Sequence, residues 1–457
     1  MMFLVCQVSS VKIFMSKKIN LSNENTGDLI VSDRIDLVIG VDYVDSYERK
    51  LETSFFENLY IEHKKTWNNL IDVAPGEKVF RGKKDFLERF NTIIDSIKIK
   101  KTNLVNIPLR IIDGKYWLDN GFHRVSTLHY FGYAGKYTLA ENAFCADFPV
   151  DIKFFAERYN HPLAPGYCNY IMMRFLEAYF KKYSCIVLFP NKKKLPAEIE
   201  NTFNEDIVFE LAVSAEAGFS KNFIELLYIQ ENWAKKNSKT KASACFLNEG
   251  DQLQLKILFI KQYSNEKLKE IKNRIREYYN IGNHSVHTPD TQIENQRLSR
   301  LFNENTISFL KYTPTLFNNF NSFEKCFKNL KSFCQNNKID TRRICVTSSA
   351  VLSVYCLRDC RDIDLLVDKE YMDIFKGSPF GIHNSYANLG HYETTSDDII
   401  YNPQNHFYFD EIKFCILEII YNYKQYRIEN TLFGDVSVNK DKVDIKLIQN
   451  SKKFKEK

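Results

Sequence analysis

One stretch, residues 346–368, constrains the fold of this chain more than any other. It begins as an apolar strand, passes through the small residues Ser348 and Ser349, continues as a helix-forming segment and ends in a strand that carries Asp362 and Asp364. Side chains two residues apart on a strand point to the same face, so the two carboxylates are expected to converge. Such a pair of oxygen donors suits Mg²⁺. A strand edge with two solvated acids is the alternative interpretation.

The order strand, small-residue turn, helix and Asp-x-Asp strand resembles the opening of the nucleotidyltransferase fold of the DNA polymerase β superfamily. The resemblance implies that Asp362 and Asp364 are catalytic and hold Mg²⁺. It also implies that a nucleoside triphosphate binds near Ser348, Ser349 and Arg358. This chain departs from the family pattern at the turn, where Ser348 occupies the position of the first glycine.

Members of this superfamily use a third carboxylate to activate the acceptor, and the sequence offers Asp444, Asp410 and Asp441 for that role. Two of these belong to the Lys-Asp-x-x-Asp pattern at 440–444, which resembles the tail of small, stand-alone nucleotidyltransferases. Spacing does not choose among the three, and we take Asp444 as the catalytic candidate. A capped helix with solvated acids explains the pattern equally well.

The N-terminal part contains a second motif. Residues 84–98 have the apolar periodicity of an amphipathic helix, and residues 107–118 read as a β-hairpin. The loop 120–124 then leads into an apolar helix that ends at Gly132. Free N–H groups at a helix N-terminus, together with an arginine, favour a bound phosphate.

The loop, Asn120-Gly121-Phe122-His123-Arg124, resembles the signature of the ParB and sulfiredoxin superfamily, with Phe122 in place of a first histidine. The resemblance implies nucleotide or phosphate binding by Asn120, Gly121, His123 and Arg124. Its members include nucleotide-binding switches and kinases of small molecules. In the alternative interpretation, His123 and Arg124 cap the hairpin and pair with an acid.

In the middle of the chain strands alternate with helices, which predicts an α/β layer. This part ends in a polar loop where His284, His287 and Asp290 are three residues apart. Such a set could ligate a metal or act as acid and base. Pro289 argues against one continuous helix through them, and Asp290 or Thr291 could simply N-cap the next helix, predicted at 294–302.

These observations predict an α/β and α+β multidomain protein, since 457 residues exceed one ordinary core. We expect that the leader at 1–30 is disordered or that translation starts at Met15 rather than Met1. A ParB/sulfiredoxin-like domain follows at 31–150, an α/β middle domain at 151–325 and a nucleotidyltransferase-like domain at 326–457.

Charge, cysteine content and the length of apolar runs limit which partners and which cellular compartment the sequence predicts. The chain has 63 basic and 57 acidic residues, a net charge of +6, which argues against a dedicated nucleic-acid binder. Its 11 cysteines show no Cys-x-x-Cys pair, as expected of reduced thiols in a cytoplasmic protein. No uninterrupted apolar run reaches the roughly 18 residues of a membrane span.

The sequence therefore predicts Mg²⁺-dependent nucleotidyl or phosphoryl transfer to a small molecule, in surface-polysaccharide or sugar-nucleotide metabolism. The partners would be a nucleotide and a small-molecule acceptor, and the oligomeric state is left open. The alternative is a non-catalytic nucleotide-binding regulatory protein. That alternative is favoured by Ser348 and by Cys356, which stands where relatives often carry a second glycine.

Overall fold

The computed structural model describes most of the chain, namely residues 18–21, 34, 36–73, 79–112, 115–118, 120–139, 165–191, 193–214, 217–246, 254–317, 320–430 and 436–455. The predicted leader lies outside these ranges except for residues 18–21, which form a strand. Met15 and the turn of the predicted N-terminal hairpin, residues 113–114, also lie outside them.

The chain divides into two compact units, one of residues 1–50 and 56–161 and the other of residues 51–55 and 162–457. Both contain helices and sheets, which confirms the mixed class expected from the sequence. None of the helices in the described ranges combines the length and apolar character that crossing a membrane requires.

The first unit has the following described helices and strands: β1 Lys18–Leu21, α1 Leu37–Arg49, α2 Phe55–Asn68, β2 Ile71–Val73, β3 Val79–Arg81, α3 Gly82–Lys100, β4 Ile107–Ile112, β5 Lys115–Leu118, α4 Phe122–Phe131 and β6 Gly135–Leu139. One sheet has the order β1-β6-β4-β5, and β2 pairs with β3 in a separate ribbon. β4 and β5 are antiparallel, which confirms the predicted hairpin.

The helix α3 shows why this unit folds as it does. Its buried residues Phe86, Phe90, Ile94 and Ile97 are three or four positions apart, so they share one face. Burying each of these side chains contributes roughly 1.5–3 kcal/mol relative to exposure. The predicted helix 84–98 is therefore present, with two further residues at each end.

The second unit begins its described elements with a mixed layer: α5 Pro165–Ala178, β7 Tyr183–Leu188, α6 Ala197–Glu200, β8 Ile207–Ser214, α7 Ala217–Leu227, α8 Ala234–Cys245, β9 Gln254–Lys261, α9 Asn265–Tyr279, β10 Val286–His287, α10 Gln292–Ser299 and α11 Glu304–Tyr312. Strands alternate with helices as predicted. The sheet order is β10-β7-β9-β8, and every pairing in it is antiparallel.

The rest of the second unit is built on a five-stranded sheet. Its elements are α12 Asn321–Asn336, β11 Ile344–Thr347, α13 Ser349–Val354, β12 Asp364–Val367, α14 Met372–Lys376, β13 Gly381–Ile382, α15 Asn384–Asn388, α16 Ser396–Tyr401, β14 His406–Phe409, β15 Ile412–Cys415, α17 Leu417–Asn430, α18 Val436–Gln449 and α19 Lys452–Lys455. The sheet order is β13-β12-β11-β15-β14. The predicted order of strand, helix and acidic strand is present in β11, α13 and β12.

One expected strand is in fact a hairpin. Residues 406–414 read as a single strand, but β14 and β15 pair antiparallel around Asp410 and Glu411. Both turn residues have positive φ, 41° and 73°, the conformation that two-residue hairpin turns require. In the centre of the sheet, the fully buried Cys345 of β11 and Cys415 of β15 place their sulfurs 3.7 Å apart.

Contacts within the second unit continue across position 325, where the sequence suggested a domain boundary. Asn303, which caps α11, donates from Nδ2 to the carbonyl oxygens of Pro403 (3.1 Å) and His406 (3.2 Å). Phe309 of α11 stacks on Phe407 of β14, with 4.4 Å between ring centroids. The helix α11 therefore covers the five-stranded sheet.

Candidate functional site

The acidic pair lies where β11 ends and β12 begins. These strands are antiparallel, and Thr347 is directly opposite Asp364. Because Ser348 follows Thr347, the small-residue turn starts beside the first residue of the acidic strand. The expectation that both carboxylates belong to one strand is corrected, since Asp362 precedes β12 and is exposed. The chain of β11 turns into α13 after Thr347, which leaves Asp362 without a pairing partner.

The turn keeps a glycine-like backbone although it contains serine. Ser348 has φ 59° and ψ −136°, a region that residues with a Cβ rarely adopt, and Cys356 also has a positive φ of 56°. The resemblance described above implies glycine at both positions. Here residues with a Cβ adopt a backbone conformation that glycine adopts more readily, which costs local strain. Ser349 begins α13 and is buried.

A histidine that the sequence did not single out lies against the acidic pair. His383 Nε2 is 3.4 Å from Asp364 Oδ1, and its Nδ1 is 2.9 Å from the hydroxyl of Tyr392. Thr347 Oγ1 donates to the same hydroxyl at 3.2 Å. If Tyr392 in turn donates to Nδ1, the proton of a neutral His383 is on Nε2 and faces Asp364. Burial lowers the pKa of His383, which favours that neutral form, while Asp364 and Asp362 oppose the shift.

A glycine also defines the position of Asp364. Gly381 of β13 is paired with Asp364, and a Cβ at this glycine would lie 2.4 Å from Asp364 Oδ1. No side chain larger than hydrogen fits here unless the carboxylate moves. The carboxylate therefore lies between Gly381 on one strand and Thr347 on the other.

A buried ionic network joins the C-terminal helices to the loop before the acidic pair. Arg358 donates two hydrogen bonds to Asp444. Its Nε lies 2.5 Å from Oδ1 and its Nη2 lies 2.7 Å from Oδ2. Lys424 of α17 reaches Asp444 at 2.7 Å and Asp441 at 2.8 Å, and Arg427 Nε is 3.4 Å from Asp441. Three cations thus face two acids, which leaves a net positive charge. Tyr423 of α17 links this network to His383, because its ring centroid lies 6.1 Å from that of His383 and 5.7 Å from Arg427 Cζ.

This network determines what the three candidate third carboxylates can do. Burial alone would raise the pKa of Asp444, but hydrogen bonds from Arg358 and Lys424 hold it below its usual value. Asp444 and Asp441 are both buried in ion pairs. Asp410 lies in the hairpin turn beyond the Ile344 end of the sheet, opposite to Asp364, and its Oδ2 is 2.7 Å from Lys331.

The predicted N-terminal site borders a cavity of about 500 Å³ in the first unit, whose lining includes Asn120, Gly121, His123 and Arg124. Gly121 precedes α4 with φ 120°, where a Cβ would meet Ile107 at 2.8 Å, so glycine is needed there. Asn120 is exposed. The four residues, which are neighbours in the sequence, therefore border one cavity.

The two basic residues of this motif are already engaged. His123 is buried, and its Nε2 is 2.7 Å from the hydroxyl of Tyr60. Burial and the neighbouring Lys64 hold the pKa of His123 well below its usual value, so this histidine is neutral. Arg124 donates from Nη1 to the carbonyl of Val105 at 3.1 Å. Neither residue pairs with an acid in the hydrogen bonds and ion pairs of the described residues.

The middle set of His284, His287 and Asp290 is not assembled into one site. His287 is buried between Tyr228, whose hydroxyl is 3.2 Å from Nδ1, and Glu294, 3.5 Å from Nε2. His284 instead has Nδ1 3.4 Å from Lys241 Nζ. Asp290 lines a separate cavity with Lys272 and Arg276.

Two further observations bear on this loop. The side chain of Thr291, one of the two residues considered, caps α10 by accepting from the N–H of Glu294. In the part of the chain that the structure describes, no group of three histidine, cysteine, aspartate or glutamate residues is placed to hold a metal ion. The interpretation of this loop as a helix cap therefore has direct structural support.

Sequence reasoning left several of these residues unassigned. His383 and Tyr392 lie in a polar region without a recognisable motif, and only the fold brings them to Asp364. Lys424 and Arg427 offered a signal, since residues three apart on a helix share a face. Gly381 offered none, because its role depends on the register between β12 and β13.

Comparison with known proteins gives no relative. No family model, no curated protein and no solved structure matches this chain.

Proposed function

We propose that the second unit transfers a nucleotidyl group from a nucleoside triphosphate to a small-molecule acceptor with the help of Mg²⁺. One observation carries the proposal: Asp364 lies opposite Thr347, so the acidic pair adjoins a glycine-like turn at Ser348. This is the arrangement that the resemblance to the DNA polymerase β superfamily implies. Phosphoryl transfer at the same site uses the same groups.

The side chains at the pair fit a magnesium ion. Asp362 and Asp364 supply carboxylate oxygens, the donors that Mg²⁺ prefers, and it usually takes only one or two from the protein. When bound, the ion neutralises negative charge on the triphosphate. His383 Nε2 lies 3.4 Å from Asp364 Oδ1 and limits where that carboxylate can turn, while Gly381 leaves the carboxylate room.

The neighbouring cations supply the charge that a triphosphate needs. The side chains of Arg358 and Arg427 are 21% and 30% exposed, so part of each guanidinium group remains accessible although both hold acids. Guanidinium groups bind phosphate oxygens in pairs. We expect these arginines to contact phosphates and the buried Lys424 to hold the network together.

A regulatory protein that binds a nucleotide without turnover is the second candidate. It is favoured by the state of Asp444, Asp441 and Asp410, each of which is held by a cation. A carboxylate in such a pair is a poor base for an acceptor hydroxyl, because the pair stabilises its ionised form. The strain at Ser348 adds to this argument.

One experiment separates the two candidates. The four common nucleoside triphosphates are incubated with the full chain and Mg²⁺ in the presence of sugar phosphates, and products are followed by chromatography. Transfer that is lost in Asp362→Asn and Asp364→Asn but kept in the exposed control Asp373→Asn supports the enzyme. Calorimetric binding that needs both aspartates, without product, supports the regulator. Absence of both turnover and binding contradicts the two proposals together.

The N-terminal motif extends the proposal. We infer from its resemblance to the ParB and sulfiredoxin superfamily that the first unit binds a nucleotide or a phosphate compound. A protein with two such sites fits the synthesis of sugar nucleotides or surface polysaccharides, which lies in the cytoplasm. This setting rests on analogy of fold.

A further inference from the structure

The cavity of the first unit contains a buried lysine that the N-terminal motif does not include. Lys64 of α2 lines the cavity and is only 6% exposed. Within the described residues, no oxygen accepts a hydrogen bond from its ammonium group. The ammonium instead lies 4.2 Å from the centre of the Phe122 ring and 5.8 Å from that of Tyr60.

The acids around Lys64 are already paired with other residues. Asp36, which is fully buried, accepts from Arg34 Nε and Nη2, both at 2.8 Å, and lies 3.4 Å from His63. Asp72 accepts from Arg89 at 2.6 Å. Among the described residues, the Lys64 ammonium faces the cavity without a carboxylate partner of its own, and an anion in the cavity would supply one.

The rest of the lining suits a small organic anion. Asn68 and Arg124 bring polar side chains to the cavity, and Trp67 and Ile93 bring apolar surface. A volume of about 500 Å³ falls in the range of sites for cofactors and metabolites. A ligand with one charged end and a largely uncharged body would match both parts.

We propose that this cavity binds a small organic anion, a phosphate ester or a carboxylate, whose charged group is held by Lys64. This deepens, and rests on, the proposal that the first unit binds a phosphate compound, but it assigns the charged group to Lys64, because Tyr60 engages His123 and Arg124 donates to a backbone carbonyl. The site is independent of the acidic pair in the second unit and does not rest on the proposed transfer reaction.

The charge state of Lys64 agrees with this assignment. Burial lowers the pKa of Lys64 to about 7, while Asp36 and Asp72 oppose the shift and Arg34 and Arg89 add to it. A bound anion would restore the charged form, because an opposite charge nearby favours it.

The test measures binding of three probes, inorganic pyrophosphate, adenosine monophosphate and citrate, by calorimetry to the full chain. EDTA is present and Asp364→Asn is the background, so that the proposed transfer site does not contribute. Lys64→Met removes the charge and keeps the length, Lys64→Arg keeps the charge, and Lys65→Met is the matched control. Lys65 is the next residue, with a side chain 46% exposed and paired with Glu62.

We expect at least one probe to bind saturably. Lys64→Met should weaken that binding about tenfold to hundredfold, since a hydrogen bond to a charged group is lost, while Lys64→Arg and Lys65→Met should change it by less than threefold. Pyrophosphate or adenosine monophosphate as the probe bound identifies phosphate chemistry, and citrate identifies carboxylate chemistry. Binding that Lys64→Met leaves unchanged, or no binding of any probe, would overturn the proposal.

Thermal melting separates a binding role for Lys64 from a structural one. Without ligand, Lys64→Met should melt at the same temperature as the parent or higher, because an unpaired buried charge has been removed. A melting temperature that falls, together with unchanged probe binding, would show that Lys64 only supports the fold. Lys64→Arg then gives a second measurement in a protein that keeps the charge.

Discussion

At the scale of single residues, Ser348 shows a conflict between a side chain and its backbone. Glycine adopts φ 59° and ψ −136° without the steric penalty that a Cβ brings, although it loses more entropy on folding. We expect Ser348→Gly to raise the free energy of unfolding by about 1 kcal/mol in urea titrations. The control is Ser353→Gly in α13, which should be destabilising. A loss of similar size in both variants would show that Ser348 is not strained.

Gly381 allows the position of Asp364 to be tested without changing its charge. Gly381→Ala places a methyl carbon 2.4 Å from the present position of Asp364 Oδ1, so the carboxylate must shift. If the pair holds Mg²⁺, we expect Mg²⁺-dependent nucleotide binding to weaken roughly tenfold. Gly377→Ala is the control, since a Cβ there meets nothing within 4 Å. Equal binding by both variants in calorimetry would exclude Asp364 from the site.

Among the elements of the second unit, α17 and α18 are joined by ion pairs from Lys424 and Arg427 to Asp441 and Asp444. Asp444→Asn leaves Arg358 and Lys424 without their carboxylate, and we expect a loss of roughly 3–5 kcal/mol in stability, as for other broken buried pairs. The pKa of Asp444 is lowered in the folded state. Its contribution is therefore present above the unfolded pKa near 4 and is lost as the pH falls through the folded value.

Melting temperatures between pH 3 and pH 7 measure this contribution. The difference between the parent and Asp444→Asn should be largest at pH 7 and should shrink in acid. Asp373→Asn, on the exposed surface, should melt like the parent at every pH. If Asp444→Asn retains full stability at pH 7 but loses transfer, then Asp444 is the third carboxylate and its ion pairs are secondary.

Some helices and strands could be predicted from the sequence, and others could not. Periodicity located α3 to within two residues, and the order of β11, α13 and β12 followed from small residues and acids. The hairpin of β14 and β15 was missed because its turn uses Asp410 and Glu411 rather than glycine or asparagine. The site could be predicted only in part. Asp444 accepts hydrogen bonds from Arg358, which is 86 residues away in the sequence. No local sequence pattern predicts a pair so far apart.

At the scale of the whole molecule, the second unit is continuous across position 325. Phe309 of α11 stacks on Phe407 of β14, and Asn303, which caps α11, donates to the carbonyl of His406. A fragment of residues 326–457 lacks both side chains, so it would expose Phe407 and leave that carbonyl without its donor. We expect that fragment to be less soluble than one of residues 290–457 and to melt without a cooperative transition. Light scattering and circular dichroism on the purified fragments would check this. A soluble, cooperatively folded 326–457 would establish an autonomous C-terminal domain.

The thiols of Cys345 and Cys415 lie in the centre of the five-stranded sheet, where neither is exposed. An alkylating reagent reaches them only when the sheet opens, so the modification rate in native buffer counts opening events. Mass spectrometry of these two cysteines would then report the free energy of opening for the sheet that presents Asp364.

We expect a nucleotide that binds with Mg²⁺ to slow the alkylation of Cys345 and Cys415, while the partly exposed Cys326 reacts at an unchanged rate. Equal rates with and without nucleotide would show that the ligand binds elsewhere. The alkylation rate of Cys345 and Cys415 therefore measures how often the five-stranded sheet opens.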